Sequence, residues 1–416
     1  MSSSPEPKKP LTPLTPYHYK LFAFLGVATF FEGYDMLALA QLLPNLRADM
    51  GLDPSDAGLM VGVINAGTVL AYLLVRKADR WGRKRVLMIT IAGYTIFTFL
   101  TALSVNVYMF TACQLLARIF LIGEWAVSMV YAAEEFPADR RGMVIGVLQA
   151  FASLGSVACA GLVPLLIQTS LEWRLVYLVG AVPLVLLAVA RRGLRESKRF
   201  AEREADLKEK PQPLTRIFST PYRTRLLQMA LIWFLTYLCT QNAITFWKEF
   251  AVTERGMTDG EVGMSITIAA VASMPMVFAS GKLLDVVGRR YGAVVIFLLT
   301  VLGVVGAYTL SGQVPLTLAL VFGIFGASAV LPVLNAYTTE LFPTDLRSDA
   351  FAWSNNLLGR LGYVLSPIAL GAVAEEIGWG PTVASTGIFP LIALVLIFVL
   401  LPETSNQELE QTSSVK

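Results

Sequence analysis

Charge is what this sequence has least of. Asp, Glu, Lys and Arg make up 15% of its 416 residues, against roughly 25% in an average soluble domain. Hydrophobic residues fill 55% and the mean hydropathy is +0.61, which excludes a soluble protein. Histidine is nearly absent: His18, in the polar N-terminal segment, stands alone, so Ser/His/Asp and Cys/His catalysis are removed. Cys113, Cys159 and Cys239 all fall inside apolar stretches, where they cannot form an extracellular disulfide framework or a zinc-type cluster. They read as packing residues, and no metal or cofactor is expected. Alternating strands of an outer-membrane barrel are missing as well. So is a Gly-x-x-x-x-Gly-Lys-[Ser/Thr] loop: Gly281-Lys282 is followed by Leu283, with Met276 where the earlier glycine would stand, which argues against ATP hydrolysis. Residues 1–20 lack the charged, apolar, small-residue order of a cleaved signal, so the first apolar run is expected to be kept.

Long apolar runs are what the chain does have. A helix needs about 20 residues to cross ~30 Å of hydrocarbon. Twelve stretches qualify, near 21–46, 56–75, 86–103, 107–132, 143–168, 174–190, 226–247, 262–281, 292–310, 315–338, 349–373 and 382–401. The expectation is an all-α membrane protein with twelve transmembrane helices. Lys and Arg concentrate in the terminal segments and in the connections after even-numbered spans. The other connections hold Arg47, Arg174, Lys248 and Arg255, while Arg118 and Arg360 lie within spans. Cytoplasmic loops carry the cations, so both termini are placed in the cytoplasm of a cell membrane, a bacterial inner membrane by preference. The net charge of +3 reflects this topology and not a nucleic-acid partner.

The longest connection, 191–225, is rich in cations and contains Pro211, Pro213 and Pro221. It reads as a linker between six-span halves at 21–190 and 226–401, with tails at 1–20 and 402–416. The sequence repeats across it. Asp79, Gly82, Arg83 and Lys84 reappear as Asp285, Gly288, Arg289 and Arg290; Glu134, Phe136, Pro137, Asp139 and Arg141 as Glu340, Phe342, Pro343, Asp345 and Arg347; Trp173 as Trp379, all at one shift. Two homologous halves in parallel orientation are expected, with a substrate site at mid-membrane between them.

At these residues the sequence resembles the major facilitator superfamily over essentially its whole length. The loop after the second span is similar to the family's Gly-x-x-x-Asp-Arg-x-Gly-Arg-Lys/Arg signature, with Val75 at the first glycine; the second copy, Gly281 to Arg290, keeps that glycine and lacks the first arginine. Phe31-Glu32-Gly33-Tyr34-Asp35 resembles the first helix of sugar porters and, more closely, of aromatic-acid and proton symporters. Arg118 to Glu135, with Gly123-Glu124-Trp125, resembles the fourth helix of metabolite and proton symporters. Leu194 to Phe200 resembles the Pro-Glu-Ser-Pro-Arg signature with both prolines replaced, and Glu340 to Arg347 and Pro402-Glu403-Thr404 complete the set. The resemblance implies the sugar-porter, organic-ion and aromatic-acid branch. It also implies clasps at the cytoplasmic face that break when the halves rock, drawn from Asp79, Gly82, Arg83, Glu134 and Arg141 and from Asp285, Gly288, Arg289, Glu340 and Arg347.

An ionisable group at the membrane centre costs at least ~2.5–3.5 kcal/mol on insertion scales, so those present usually face the bundle interior and act there. Glu32, Asp35, Arg118, Glu124 and Arg360 are such groups. Glu32 and Asp35 share a helical face, and Arg118 lies at a depth where it can meet Asp35. Paired with Arg118, Asp35 stays a carboxylate; with Arg118 withdrawn, burial favours the neutral acid and Asp35 takes a proton. In related symporters the resemblance gives these two residues the same roles. Glu32 is the alternative titrating member, because neighbouring carboxylates couple, and Glu124 is grouped with them. In the eleventh span Trp353, Asn356, Arg360 and Tyr363 form one stripe at α-helical spacing, suited to an anionic ring compound. Tyr237, Gln241 and Asn242 in the seventh span are further substrate candidates; Asn65, Trp125, Gln149 and Asn335 are weaker ones. The expected function is proton-coupled import of a small organic acid by alternating access, by a chain that is not an enzyme and works as a monomer. A sugar or organic-cation carrier, a facilitator without protons and an exporter stay open.

Overall fold

The computed structural model describes residues 12–76, 78–190, 195–196, 213–405 and 412. Its long helices are α1 (Pro16–Met50), α2 (Pro54–Val75), α3 (Arg83–Ala102), α4 (Val107–Glu135), α5 (Ala138–Leu166), α6 (Trp173–Ala190), α7 (Arg223–Thr245 and, past a bend, Trp247–Thr253), α8 (Asp259–Val287), α9 (Arg289–Thr309), α10 (Gln313–Glu340), α11 (Arg347–Ile377) and α12 (Trp379–Leu400). No strand occurs among the described residues. Ten of these helices are long and apolar enough to cross a membrane; α7 qualifies as a pair bent by 47°, and α6 contributes a shorter apolar stretch, Trp173–Val182. The all-α expectation stands on these helices.

Local chemistry sets the helix ends. Thr15 and His18 form a capping box at the start of α1, with Pro16 in the first turn, and Gly51 ends the helix at φ 64°. Glycine closes helices in this left-handed conformation because it has no Cβ to clash. Thr258 and Glu261 cap α8 in the same way.

The repeat seen in the sequence is a repeat of packing. Helix α1 lies against α5, α2 against α4, and α3 against α4 and α6; six helices later, α7 lies against α11, α8 against α10, and α9 against α10 and α12. Lipid supplies no hydrophobic drive between helices, so close approach depends on small residues. A Cβ on Gly33 of α1 would stand 1.8 Å from the Ala152 carbonyl of α5, and one on Gly155 would stand 1.8 Å from the Phe30 carbonyl.

The halves meet along α2 with α11, α5 with α8, and the end of α1 with the short arm of α7. These contacts concentrate on the face opposite the one where α1 begins and α12 ends. There a Cβ on Gly58 would lie 2.7 Å from the Gly371 Cα, and one on Gly263 would lie 2.6 Å from the Ala160 carbonyl. Arg47 of α1 bonds Glu249 of α7 at the same end; among the described residues this is the one ion pair that joins the halves. The molecule is sealed at that opposite face.

Candidate functional site

On the terminal side of the seal, between the halves, lies a cavity of about 330 Å³. Its walls come from both halves: Thr68 and Tyr72 of α2, Trp125 of α4, Trp233 and Tyr237 of α7, Asn335 of α10, and Asn355, Asn356 and Arg360 of α11. The indole N–H of Trp233 donates to Thr338 Oγ1 at 3.1 Å, fixing the ring as a wall. Tyr237 donates to Asn355 Oδ1 at 2.8 Å. Arg360 reaches across the interface, its Nη1 donating to the Thr68 carbonyl at 3.2 Å, while its Nε has no partner. The site therefore presents a cation, amides and aromatic faces to one space. A second cavity of about 350 Å³, bordered by Phe22, Phe30, Phe31 and Phe151 between α1 and α5, offers nothing to orient a polar molecule.

Of the seven substrate residues expected from sequence, Arg360, Asn356 and Tyr237 line this cavity. The other four do not line it. Trp353 donates to the Leu214 carbonyl at 3.0 Å and packs edge-on against Phe218 with ring centroids 4.9 Å apart. Tyr363 stacks behind Tyr237 at 4.2 Å. Asn242 is buried, its amide donating to the Leu238 carbonyl at 2.8 Å and Ser366 Oγ at 2.6 Å. Gln241 sits where α7 breaks between Thr240 and Asn242. The stripe on α11 fails for a geometric reason: residues Ala352–Gly359 form a π-helix. Hydrogen bonds there span five residues, as in Arg360 N–H to the Asn355 carbonyl at 3.0 Å, so α-helical spacing no longer maps residues onto one face.

The buried charges of α1 and α4 come together without forming the expected ion pair. Asp35 and Arg118 are each 3% exposed, and Arg118 is close enough to act electrostatically on both Asp35 and Glu32. In this state, however, Arg118 Nη1 donates to the Met36 sulfur and its Nε lacks a partner. Glu124 is held by hydroxyls, accepting from Thr90 at 2.6 Å and Ser128 at 3.0 Å.

The duplicated motifs build two equivalent clusters at the terminal face. Gly82 (φ 87°) and Gly288 (φ 96°) take the same backbone conformation, which a side chain would strain. Each is followed by an arginine bound to the next acid of the motif: Arg83 to Glu134 at 3.0 and 3.2 Å, and Arg289 to Glu340 at 3.0 and 3.3 Å. Arg289 also bonds Asp285 at 2.8 Å. Both clusters close within their own half, whereas the sequence reading placed clasps between the halves. The side chain of Asp79 lies outside the described residues. Arg141 Nε is unpartnered, and Arg347 reaches the Phe342 carbonyl at 3.4 Å, so neither joins a clasp here.

Each cluster has a second acid that sequence reasoning recorded only as part of a motif. Glu196 accepts from the backbone N–H groups of Arg83 and Lys84 at 2.8 and 3.1 Å, and Glu403 from those of Arg289 and Arg290, both at 2.9 Å. They satisfy orphan donors at the N-termini of α3 and α9, where negative charge is favoured. Burial alone would raise the Glu403 carboxyl, but the backbone donors of Arg290, Ser405, Arg289 and Thr404 outweigh it and hold the group below its ordinary range. A carboxylate lowered on folding contributes stability that is present above its unfolded value and lost as pH falls through the folded one. Thermal melts of wild type and Glu403→Gln are therefore expected to differ at neutral pH and to converge in acid.

This architecture defines a class: a polytopic membrane transporter of two repeated halves, sealed at one face, with a small polar cavity between them. The chain belongs to the Major Facilitator Superfamily, which matches it over residues 25–360 and 229–416. It is 26% identical over 388 residues to a probable 4-methylmuconolactone transporter of Cupriavidus pinatubonensis, covering 91% of this chain and 89% of that one. It is likewise 26% identical to the 4-hydroxybenzoate transporter PcaK of Pseudomonas aeruginosa, over 94% and 93% of the two chains. Its fold is similar to that of the xylose transporter XylE of E. coli in an inward-open conformation, with a TM-score of 0.76, 17% identity and coverage of 95% and 99%.

Proposed function

We propose that this transporter carries a compact organic acid, with an aromatic or other small carboxylate as substrate, and couples its import to protons across a bacterial inner membrane, both termini being cytoplasmic. The observation that carries the reading is Arg360. A guanidinium lining a cavity walled by Trp125, Trp233 and Tyr237 matches an anion attached to an apolar ring. The relatives named above, which handle a lactone and a hydroxylated aromatic acid, support the same class. Asn356 and Tyr237 belong to this recognition set, and Tyr363 backs it by stacking on Tyr237. A sugar site would carry more amides and no lone cation at its centre.

Proton coupling is assigned to Asp35, with Glu32, Glu124 and Arg118 as its electrostatic surroundings. An acid buried at mid-membrane without a cation in contact holds a proton, and approach of Arg118 releases it. The arrangement with Arg118 on Met36 is consistent with the arm of that cycle in which the cation stands off Asp35. In proteoliposomes, Asp35→Asn is expected to abolish uptake driven by a pH gradient while leaving substrate exchange across equal pH. Equal loss of both activities assigns Asp35 a structural role, and selective loss in Glu32→Gln instead moves the proton to Glu32.

A further inference from the structure

The hydrogen-bond capacity of the cavity is not evenly used. Arg360 has spent Nη1 on the Thr68 carbonyl and has Nε left over. Asn355 has spent its side-chain oxygen on Tyr237, and Trp233 its N–H on Thr338. Asn335, one turn before Thr338 on the same face of α10, is different. Its backbone carbonyl accepts from Thr339 at 3.0 Å, but its side-chain oxygen is buried and has no partner. Leaving an acceptor bare in this way is unfavourable, and a bound donor removes the cost.

We propose that Asn335 is the specificity-determining residue of the site and selects acids that also carry a hydroxyl. This rests on the reading that the cavity binds carboxylates. The carboxylate engages the Arg360 guanidinium, the ring lies among Trp125, Trp233 and Tyr237, and a hydroxyl on the ring draws the covered Asn335 Oδ1 toward the cavity and donates to it. A cavity of about 330 Å³ is at the small end of the ~300–1,000 Å³ usual for small-molecule sites, which favours one ring with short substituents. A site built to receive a donor discriminates against ligands that lack it, because its acceptor is then buried unpaired. A hydroxyl next to the carboxylate bonds internally to it and satisfies nothing on the protein, so the selected hydroxyl stands away from the acid group.

The test uses the full-length purified transporter and competition binding with benzoate, its 2-, 3- and 4-hydroxy isomers and 4-methoxybenzoate, on wild type, Asn335→Leu and Asn335→Ala. In wild type the better of the 3- and 4-hydroxy acids is expected to bind roughly tenfold more tightly than benzoate, the size of one recovered hydrogen bond, with no gain for the 2-hydroxy or methoxy acids. Both variants are expected to bring that ratio close to one, and their thermal melts report that they are folded. A ratio that survives in both variants overturns the assignment, as does an equal gain from methoxy, which has no proton to donate. If benzoate binds and hydroxyls add nothing, Asn335 loses its role and the carboxylate reading stands. Binding of none of the five acids overturns both.

Discussion

Replacing Arg360 with methionine is expected to weaken carboxylate binding about 30- to 100-fold, measured as Kd by calorimetry or by concentration dependence of counterflow. Methionine keeps much of the stem and removes the charge and its donors. A hydrogen bond to a charged group contributes about 1.5–3 kcal/mol, and 1.4 kcal/mol is tenfold in affinity. The same change breaks the donation from Arg360 to the Thr68 carbonyl, a contact between the halves, so conformational preference should shift as well as affinity. Arg360→Lys separates the two effects: the charge is kept and the planar fork is lost, and affinity should fall less than in the methionine variant. Unchanged carboxylate affinity in Arg360→Met would move the anion site to another cation, with buried Arg118 as the remaining candidate at mid-membrane.

How far the sequence could be read depended on whether a feature is local. The duplicated turns were legible because glycine at positive φ, the following arginine and the next acid are written out twice at one shift; the structure sets Gly82 beside Arg83 and Glu134, and Gly288 beside Arg289 and Glu340, in matching geometry. Buried ionisable groups were legible because the membrane makes them rare. The lining of the cavity was less so. Periodicity assumes α-helical turns, and the π-helix at Ala352–Gly359 moves Trp353 and Tyr363 off the face that holds Asn356 and Arg360. Nothing in the composition of that segment announces the wider turn. Trp233 escaped notice although Trp233 and Tyr237 are four apart on one face of α7, a signal that was available. The pairing of Arg47 with Glu249 joins positions on different halves, and neither residue alone says that the other is near; each reads as a loop-side charge.

Gly58→Leu is expected to abolish transport while leaving substrate binding intact. At the sealed face a Cβ on Gly58 would stand 2.3 Å from the Pro367 carbonyl and 2.7 Å from the Gly371 Cα, and one on Gly371 would stand 2.5 Å from the Pro54 carbonyl. Overpacking costs about 1–3 kcal/mol where side chains can yield; here backbone opposes backbone across α2 and α11, so the halves must separate. A difference of about 5.5 kcal/mol carries a two-state equilibrium from 99:1 to 1:99, enough to hold nearly every molecule open at this face. The Arg47–Glu249 pair, with Glu249 only 1% exposed, opposes the separation, but both partners gain water as the face opens, which offsets the lost contact. The state can be read with a cysteine at Gln41, which is 1% exposed in the sealed form, in a background with Cys113, Cys159 and Cys239 replaced. A membrane-impermeant thiol reagent should modify Gln41→Cys rapidly in the Gly58→Leu background and slowly without it. Transport at the normal rate, or labelling unchanged by Gly58→Leu, would show that α2 and α11 do not form the seal that opens and closes in the transport cycle.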